Sequence, residues 1–345
     1  MDSAWKSILQ DSGASFGDEG ALQGFDEAGS PDPDKGSVLF ALTHTGLICV
    51  AGEDAQSFLQ GQLTNDVRQV GPQHSQLSAY CSTKGRALAL GRLFMRADGA
   101  YYLRLPAEIV EPTLKRLRMF VLRAQVTIEP CASDLVSVGY AGPQAAAELT
   151  EVLGAVPDLP DAVRHTGHIS ILRLPGPVPR FELIGPVEEM EPTWTRLRAQ
   201  AAMGGPALWR LLDVRAGVPM VYPATVDAFV PQMMNLQLIG GVSFRKGCYA
   251  GQEVVARMQY LGKLKRRMYR ARLSGAAPQP GDEVYAAGEA QSAGKVVDAQ
   301  PAPEGHVELL AVLQIASAGA ELHVGAPDGP RLELLPLPYA LPEEP

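Results

Sequence analysis

The stretch Lys246-Gly247-Cys248-Tyr249-Ala250-Gly251-Gln252-Glu253 combines a glycine loop, a lysine, a thiol and a Gln-Glu pair. It runs into Val254, Met258 and Leu261, whose i, i+4, i+7 spacing predicts a helix with one buried face. The stretch therefore places a glycine loop at a helix N-terminus, where free backbone N–H groups favour a bound carboxylate or phosphate. The alternative interpretation is a tight loop in which Cys248 only fills space.

The composition indicates an ordinary globular protein. The chain has 345 residues, of which 46% are hydrophobic and 20% are charged, values that favour two or three domains. No basic segment with an apolar core opens the chain, and no apolar run is long enough to span a bilayer. We therefore expect a cytoplasmic protein with reduced thiols and no membrane partner. Its four cysteines form no Cys-x-x-Cys pair, which argues against a zinc ribbon or an iron–sulfur ligand set: Cys49, Cys81, Cys131 and Cys248.

The charge is unevenly distributed along the chain. Residues 1–36 carry eight acidic against two basic side chains, and their Gly and Ser content predicts a disordered acidic tail. Residues 245–272 carry nine basic side chains against Glu253 alone. This basic segment predicts an anionic partner, such as polyglutamate, phosphate or RNA; the alternative is a solvated surface.

Element patterns divide the chain into four parts. After the tail, strand and helix patterns alternate over residues 37–135 and again over 136–268, which predicts two mixed α/β domains. In the second of these, we place Pro192 in the first turn of a helix. Six short β-prone runs with Pro and Gly between them follow over residues 269–345, and they predict a small C-terminal β-barrel. The fold class is therefore α+β with several domains.

Common catalytic and metal motifs do not explain this chain. His165 and His168 form the closest histidine pair, but the sequence near them supplies no third and fourth zinc ligand. There is no nucleophile-elbow, Walker A or dinucleotide-binding glycine motif. We predict no metal site from the sequence.

The ordered set of motifs resembles YgfZ-type proteins, which are folate-binding relatives of the glycine cleavage T-protein, an aminomethyltransferase. The octapeptide 246–253 with its upstream flank Gly240-Gly241-Val242-Ser243-Phe244 carries the most specific part of the likeness. Weaker matches occur in the right order, and the likeness covers about residues 38–341. They are Phe58–Val67, Cys81-x-x-Lys84-Gly85-Arg86, Trp209, Asp213–Pro219, Phe229-Val230-Pro231-Gln232, Asn235-Leu236-Gln237 and Leu335–Tyr339.

The resemblance implies an aminomethyltransferase-like fold whose domains surround a central cleft for tetrahydrofolate or a related folate. It also implies a role in assembly or repair of iron–sulfur enzymes, including those that thiolate tRNA, with those client enzymes as partners and tRNA as an indirect one. By this resemblance Cys248 is a candidate reactive thiol. The candidate folate-binding residues are Leu47, Trp209, Arg215, Lys246, Tyr249, Gln252 and Glu253.

Three positions depart from the family pattern. Leu47 lies where relatives carry a second folate-contacting Trp, and Arg215 lies where aminomethyltransferases have a Glu. A guanidinium has donors only, so Arg215 cannot accept the N–H groups of a pterin. The related enzymes also use an Asp shortly after the turn at Gly85, whereas residues 86–92 here contain no carboxylate. Leu and Ala cannot move a proton or stabilise a developing cation there.

Three functions remain open from the sequence. The first is a folate-binding accessory protein for iron–sulfur enzymes, which the missing Asp favours. The second is an aminomethyltransferase-type enzyme that moves one-carbon units, which a carboxylate from another segment would revive. The third is an RNA-binding module built on the basic segment.

Strand alternation within the basic segment predicts that Arg270 and Arg272 are exposed together on one face. We expect this face to dock an anionic partner.

Overall fold

A computed structural model describes residues 1–18, 20–26, 31–131 and 135–342. The helices are α1 (Ser3–Asp11), α2 (Ala55–Gln62), α3 (Val110–Arg118), α4 (Ala145–Leu153), α5 (Val187–Arg198), α6 (Pro206–Arg215) and α7 (Gln252–Tyr260). The strands of the first part are β1 (Ala14–Phe16), β2 (Leu22–Phe25), β3 (Val38–Ala41), β4 (Thr45–Ala51), β5 (Gln76–Cys81), β6 (Ala87–Met95), β7 (Tyr101–Pro106), β8 (Thr127–Pro130), β9 (Leu135–Ala141), β10 (Val163–Thr166), β11 (Ile169–Leu174), β12 (Arg180–Pro186) and β13 (Ala202–Gly204). The remaining strands are β14 (Arg266–Leu273), β15 (Glu283–Ala286), β16 (Ser292–Pro301), β17 (Val307–Gln314), β18 (Leu322–Val324) and β19 (Arg331–Leu335).

The chain forms two compact units that do not follow linear order. Unit 1 contains Met1–Gln56, Arg68–Gln76 and Arg92–Trp209, and unit 2 contains Ser57–Val67, Leu77–Gly91 and Arg210–Pro345. Within unit 1, the strands β7, β4 and β8 are neighbours in that order, and the chain passes from unit 2 to unit 1 within β6. No helix among the described residues has both the length and the apolar character that a membrane crossing needs.

A six-stranded sheet with the order β10-β11-β12-β9-β3-β13 organises unit 1. Strand β3, which the sequence placed with the first α/β domain, pairs with β9 and in parallel with β13. The apolar core of this unit includes Tyr140, Phe181 and Trp194, all at most 1% exposed. The sheet therefore joins residues that precede and follow the predicted division at residue 135.

The described N-terminal residues correct the prediction of a disordered tail over residues 1–36, of which residues 19 and 27–30 lie outside the described part. Helix α1 begins after Asp2, whose carboxylate accepts hydrogen bonds from the N–H groups of Ala4 and Trp5. Trp5 is 1% exposed and packs edge-on against Trp194 at 5.3 Å between ring centroids. Net negative charge did not prevent folding because this short segment buries Trp5 and Leu9 in the core of unit 1.

Helix α5 begins earlier than we predicted when we placed Pro192 in its first turn. The helix starts at Val187, so Pro192 lies inside it and not in its first turn. Proline in a helix interior removes a backbone hydrogen bond, which is normally destabilising. Burial of Met190, Trp194 and Leu197 on one face of α5 offsets that loss.

The predicted C-terminal β-barrel is confirmed. Its first strand begins at Arg266, three residues before the predicted start of this domain at residue 269. Six strands close in the order β14-β17-β16-β15-β18-β19. Alternate residues of each strand fill the interior, among them Ala271, Leu273, Leu309 and Ala311. The other face of β14 carries Arg266, Arg270 and Arg272 together with the buried Met268.

Candidate functional site

Lys246 is a structural anchor within unit 2. Its side chain is buried, and Nζ donates to the backbone oxygens of Gln60 at 2.7 Å, Leu63 at 2.5 Å and Asn65 at 3.0 Å. These carbonyls lie at and just beyond the C-terminus of α2, where helix carbonyls lack partners in the helix itself. The ammonium group, which has three donors, is therefore committed to the backbone.

Further hydrogen bonds join the same two segments. Thr64 Oγ1 donates to the oxygen of Gly241 at 2.7 Å, and Asn65 Nδ2 donates to the oxygen of Gly240 at 2.6 Å. The N–H of Ser243 donates to the oxygen of Thr64 at 3.0 Å. The motif around residues 58–67 and the loop 240–251, which we call the thiol loop, are thus the two halves of one structural contact.

The end of the thiol loop packs against the turn that follows β5. Gly251 has φ +81°, and a Cβ built there would lie 2.3 Å from the oxygen of Ser82 and 2.7 Å from Cα of Gly85. A real Cβ cannot approach backbone that closely, so only glycine permits this contact. The glycines of two separate sequence motifs therefore meet as close backbone neighbours.

Cys248 lies at the exposed part of the thiol loop. Gly247 and Cys248 are exposed, whereas Lys246 and Tyr249 on either side are 6% and 7% exposed. Lys246 Nζ also lies 5.0 Å from the ring centroid of Tyr249. The alternative of Cys248 as a buried filler is therefore wrong, since the loop holds its backbone on both sides and presents the thiol to solvent.

Tyr249 packs near a second thiol, which is buried. Burial, followed by the charge of Asp227, raises the pKa of the Cys81 thiol to about 12. Burial is also the main cause that raises the pKa of Tyr249, and the charge of the Cys81 thiolate adds a smaller effect in the same direction. Cys81 therefore remains a protonated, inert thiol at neutral pH, in contrast to the exposed position of Cys248.

The helix after the thiol loop is α7, with Gln252 half-buried and Glu253 exposed in its first turn. Its buried face differs from the prediction. Val255 is fully buried, whereas Val254 is 37% and Leu261 85% exposed. The i, i+4, i+7 stripe that the sequence assigned to a core is therefore only partly buried, and its last residue, Leu261, lies beyond the end of the helix.

Arg215 is bound within unit 2 by carboxylates of the barrel. Its guanidinium donates to Glu308 at 2.9 Å and to Glu304 at 3.1 and 3.0 Å. Burial opposes ionisation of Glu308, but the hydrogen bond from Arg270 and the charges of Arg215 and Arg270 outweigh it and lower the pKa of Glu308. These cations already occupy the cluster of Glu304, His306 and Glu308, which otherwise has the spacing of a metal site.

The basic segment is partly neutralised by the barrel. Arg270 is half-buried and donates to Glu308, which corrects the expectation that it is exposed together with Arg272. Arg272 is exposed and forms an ion pair with Glu333 at 2.8 Å. Lys263 and Lys265 are exposed, and the structure shows no ion pair for either within the described residues.

Trp209 and Leu47 are interior residues of unit 1. Trp209 is fully buried, packs on Phe40 at 5.1 Å between ring centroids and touches Cα of Gly139 so closely that a Cβ there would lie 2.6 Å from its ring. Its Nε1 has no hydrogen-bond partner in the described part of the chain. Leu47, in β4, is 7% exposed at the edge of a cavity of about 340 Å³.

The candidate folate-binding residues do not form one set of free ligand groups. Lys246 is bonded to backbone carbonyls and Arg215 to carboxylates, so neither cation is available to a glutamate tail. The faces of Trp209 are covered by core side chains, so no pterin can stack on it without rearrangement. These three residues therefore do not fit a folate in this structure, while Tyr249, Gln252 and Glu253 lie in and beside the thiol loop.

Sequence analysis missed Asp227, a carboxylate beside the turn at residues 82–86. Its Oδ1 accepts from Ser82 Oγ at 2.8 Å, and the guanidinium of Arg86 donates to the backbone oxygen of Ala228 at 2.6 Å. Asp227 has φ +58°, an unusual value for a non-glycine residue. No spacing in the sequence signals its position, because 141 residues separate it from Arg86.

Comparison with known proteins shows the fold. No protein-family model matches the sequence. The chain is similar to the crystal structure of the glycine cleavage system aminomethyltransferase T from Bartonella henselae, with a TM-score of 0.73, 17% identity and 94% of each chain covered. A heterotetrameric sarcosine oxidase from Corynebacterium sp. U-96 matches with a TM-score of 0.35 and 11% identity over 50% of this chain and 86% of that chain. The chain thus has the multi-domain fold of aminomethyltransferase T.

Replacing Lys246 tests the anchor. We expect Lys246→Met to lower the free energy of unfolding by about 3 kcal/mol, because three backbone acceptors lose a charged donor while the apolar stem is kept. Urea denaturation measures the change. Lys84→Met, on an exposed lysine of unit 2, is the matched control and should change stability little. Equal stability of the two variants would contradict the anchoring role of Lys246.

The Glu308 cluster predicts a pH dependence. Because the folded pKa of Glu308 lies below its ordinary 4.5, its charge contributes stability that is complete above about pH 4.5. That contribution is lost as the pH falls through the folded value. The difference in Tm between the wild type and Glu308→Gln should therefore be large at pH 7 and shrink on acidification below pH ~4.5. Glu333→Gln, in the exposed pair, should show a small difference throughout; a Glu308 difference that grows on acidification contradicts the assignment.

Proposed function

We propose that the chain is a folate-using accessory protein that acts in the assembly or repair of iron–sulfur enzymes, including enzymes that thiolate tRNA. The observation that carries this proposal is Cys248, an exposed thiol between the buried anchors Lys246 and Tyr249. Thiolates are the protein groups that bind iron–sulfur centres and attack sulfur species. An exposed thiol on a fixed backbone is able to meet such a centre on another protein.

The absence of a carboxylate in the early part of β6 supports an accessory role over aminomethyl transfer. Residues 86–92 are Arg, Ala, Leu, Ala, Leu, Gly and Arg, so that stretch supplies no group for the proton transfer that the resemblance assigns to an Asp. Folate stays the ligand class that the resemblance implies. The proposal assigns no folate contact to Trp209, Lys246 or Arg215, because their polar groups or ring faces are engaged elsewhere.

Aminomethyl-type one-carbon transfer is a second candidate, and Asp227 is the observation that favours it. This carboxylate lies beside the turn that leads into β6, where Ser82 Oγ donates to it. Its position supplies, from another segment, the kind of group that residues 86–92 lack. The fold itself is compatible with either candidate, since one fold supports different chemistries.

Cys248→Ser tests the proposed function. We expect the variant to keep the wild-type Tm, because the thiol is exposed, and to fail to restore an iron–sulfur tRNA-thiolating enzyme in cells that lack the endogenous homologue. Calorimetry should show the same affinity for tetrahydrofolate in variant and wild type. Cys81→Ser is the control thiol: it should melt at a lower temperature and retain activity per folded molecule. Normal complementation by Cys248→Ser would reject the role of the thiol, and no heat with reduced folates would reject folate.

A reconstituted glycine cleavage reaction separates the two candidates. We expect purified protein not to replace the aminomethyltransferase there, because β6 provides no carboxylate for the folate step. The turnover of the wild type is compared with that of Asp227→Asn. Turnover close to that of a true aminomethyltransferase, lost in Asp227→Asn, would establish the second candidate and overturn the first.

A further inference from the structure

A second cavity, of about 940 Å³, lies wholly within unit 2 and away from any role assigned above. It is bounded by the loop that carries Gln232 and Gln237, the C-terminal end of α7 and the start of β14. We call it the glutamine cavity. Its volume is in the range of sites that hold a ligand or a short peptide.

Two glutamines that line this cavity carry buried amide oxygens that have no hydrogen-bond partner in the described residues. Gln232 is 2% exposed, and its Nε2 donates to the oxygen of Val255 at 2.6 Å, which fixes the amide so that Oε1 is the acceptor. That Oε1 and Oε1 of Gln237 are both buried without a donor. A buried acceptor without a donor costs free energy, and an occupant with N–H groups would offset that cost at Gln237, whose side chain is only half-buried and is able to turn.

The apolar wall of the glutamine cavity is aliphatic. Leu238, Met258, Leu264 and Ile315 line it, together with Leu261, which is 85% exposed. Met258 and Leu261, two of the three residues that the sequence assigned to a buried stripe, thus line this cavity. No aromatic ring lies in the described wall, which disfavours a stacked base or heterocycle and favours aliphatic side chains.

The rim of the glutamine cavity is cationic. Lys263, Lys265 and Arg267 lie on it, and none of the described lining residues is acidic. Both lysines are exposed, and Arg267 donates to the backbone oxygen of Pro342 at 2.9 Å. Carboxylates on an occupant would therefore find unopposed positive charge.

From these three properties we propose that the glutamine cavity binds an acidic peptide segment of a partner protein. The half-buried side chain of Gln237 turns its amide oxygen into the cavity, where a backbone N–H group of the peptide donates to it. Aliphatic side chains of the peptide cover Met258 and Leu264, and its Asp or Glu side chains pair with Lys263 and Lys265. An extended peptide places these two kinds of side chain on opposite faces by simple alternation. The site does not depend on the thiol or on folate.

Fluorescence anisotropy of the full chain tests the proposal with a short labelled peptide of alternating Leu and Glu. We expect saturable binding that weakens with salt, and about tenfold or greater loss of affinity in Lys263→Glu with Lys265→Glu. Lys84→Glu, an exposed lysine of unit 2 outside the cavity, is the matched control and should lose less than threefold.

Two further comparisons test the acceptor oxygen of Gln237. Gln237→Met keeps the length of the side chain and removes the acceptor, and we expect about tenfold weaker binding. The same peptide with every backbone amide N-methylated lacks those donors and should bind weakly to the wild type, which keeps the test valid even if Gln237→Met folds poorly. Equal binding of methylated and unmethylated peptide would overturn the proposal. So would preferential binding of a labelled oligouridine, which would identify RNA as the occupant, or the absence of any peptide binding at low salt.

Discussion

The contact of the Lys246 ammonium group with three backbone carbonyls is the constraint on which the arrangement of the thiol loop depends. Without it, the carbonyl of Gln60 near the C-terminus of α2 and those of Leu63 and Asn65 just beyond would need other donors. Burying the charged ammonium group of a lysine there costs desolvation free energy. The arrangement is favourable only because each N–H of that group has an acceptor. The hydrogen bonds of Thr64 and Asn65 to Gly241 and Gly240 extend the same contact.

This anchor changes the meaning of the octapeptide 246–253. Its lysine, tyrosine and second glycine hold the loop against α2 and the turn after β5, and Cys248 is left as the exposed group. A motif that looks like a set of ligand groups is therefore mostly a support for one side chain. Rigid support of this kind is what a reactive group needs if it is to meet a partner in a fixed geometry.

Charge in unit 2 is arranged so that local sequence composition is a poor guide to surface potential. Arg215 and Arg270 share the carboxylate of Glu308, and Arg210 forms an ion pair with Asp298 at 2.7 Å. Within residues 245–272, Arg270 and Arg272 are therefore paired with carboxylates of the barrel, whereas Lys263 and Lys265 form no ion pair in the described part of the chain. The cationic surface of this unit is therefore smaller than the sequence suggests, and it borders the glutamine cavity.

Residue alternation and helical spacing are local properties, so the α+β class, the six barrel strands and the helix after the thiol loop could all be predicted from the amino-acid sequence. It did not determine which face of α7 is buried, that α1 packs in the core of unit 1, or that Lys246 and Arg215 are already bonded. Those outcomes depend on groups far apart in the chain: Lys246 meets a carbonyl 186 residues away, and Arg215 meets a carboxylate 93 residues away. Only the tertiary structure brings such groups within hydrogen-bond distance, and the pairing of a polar side chain decides whether it is free to bind a ligand.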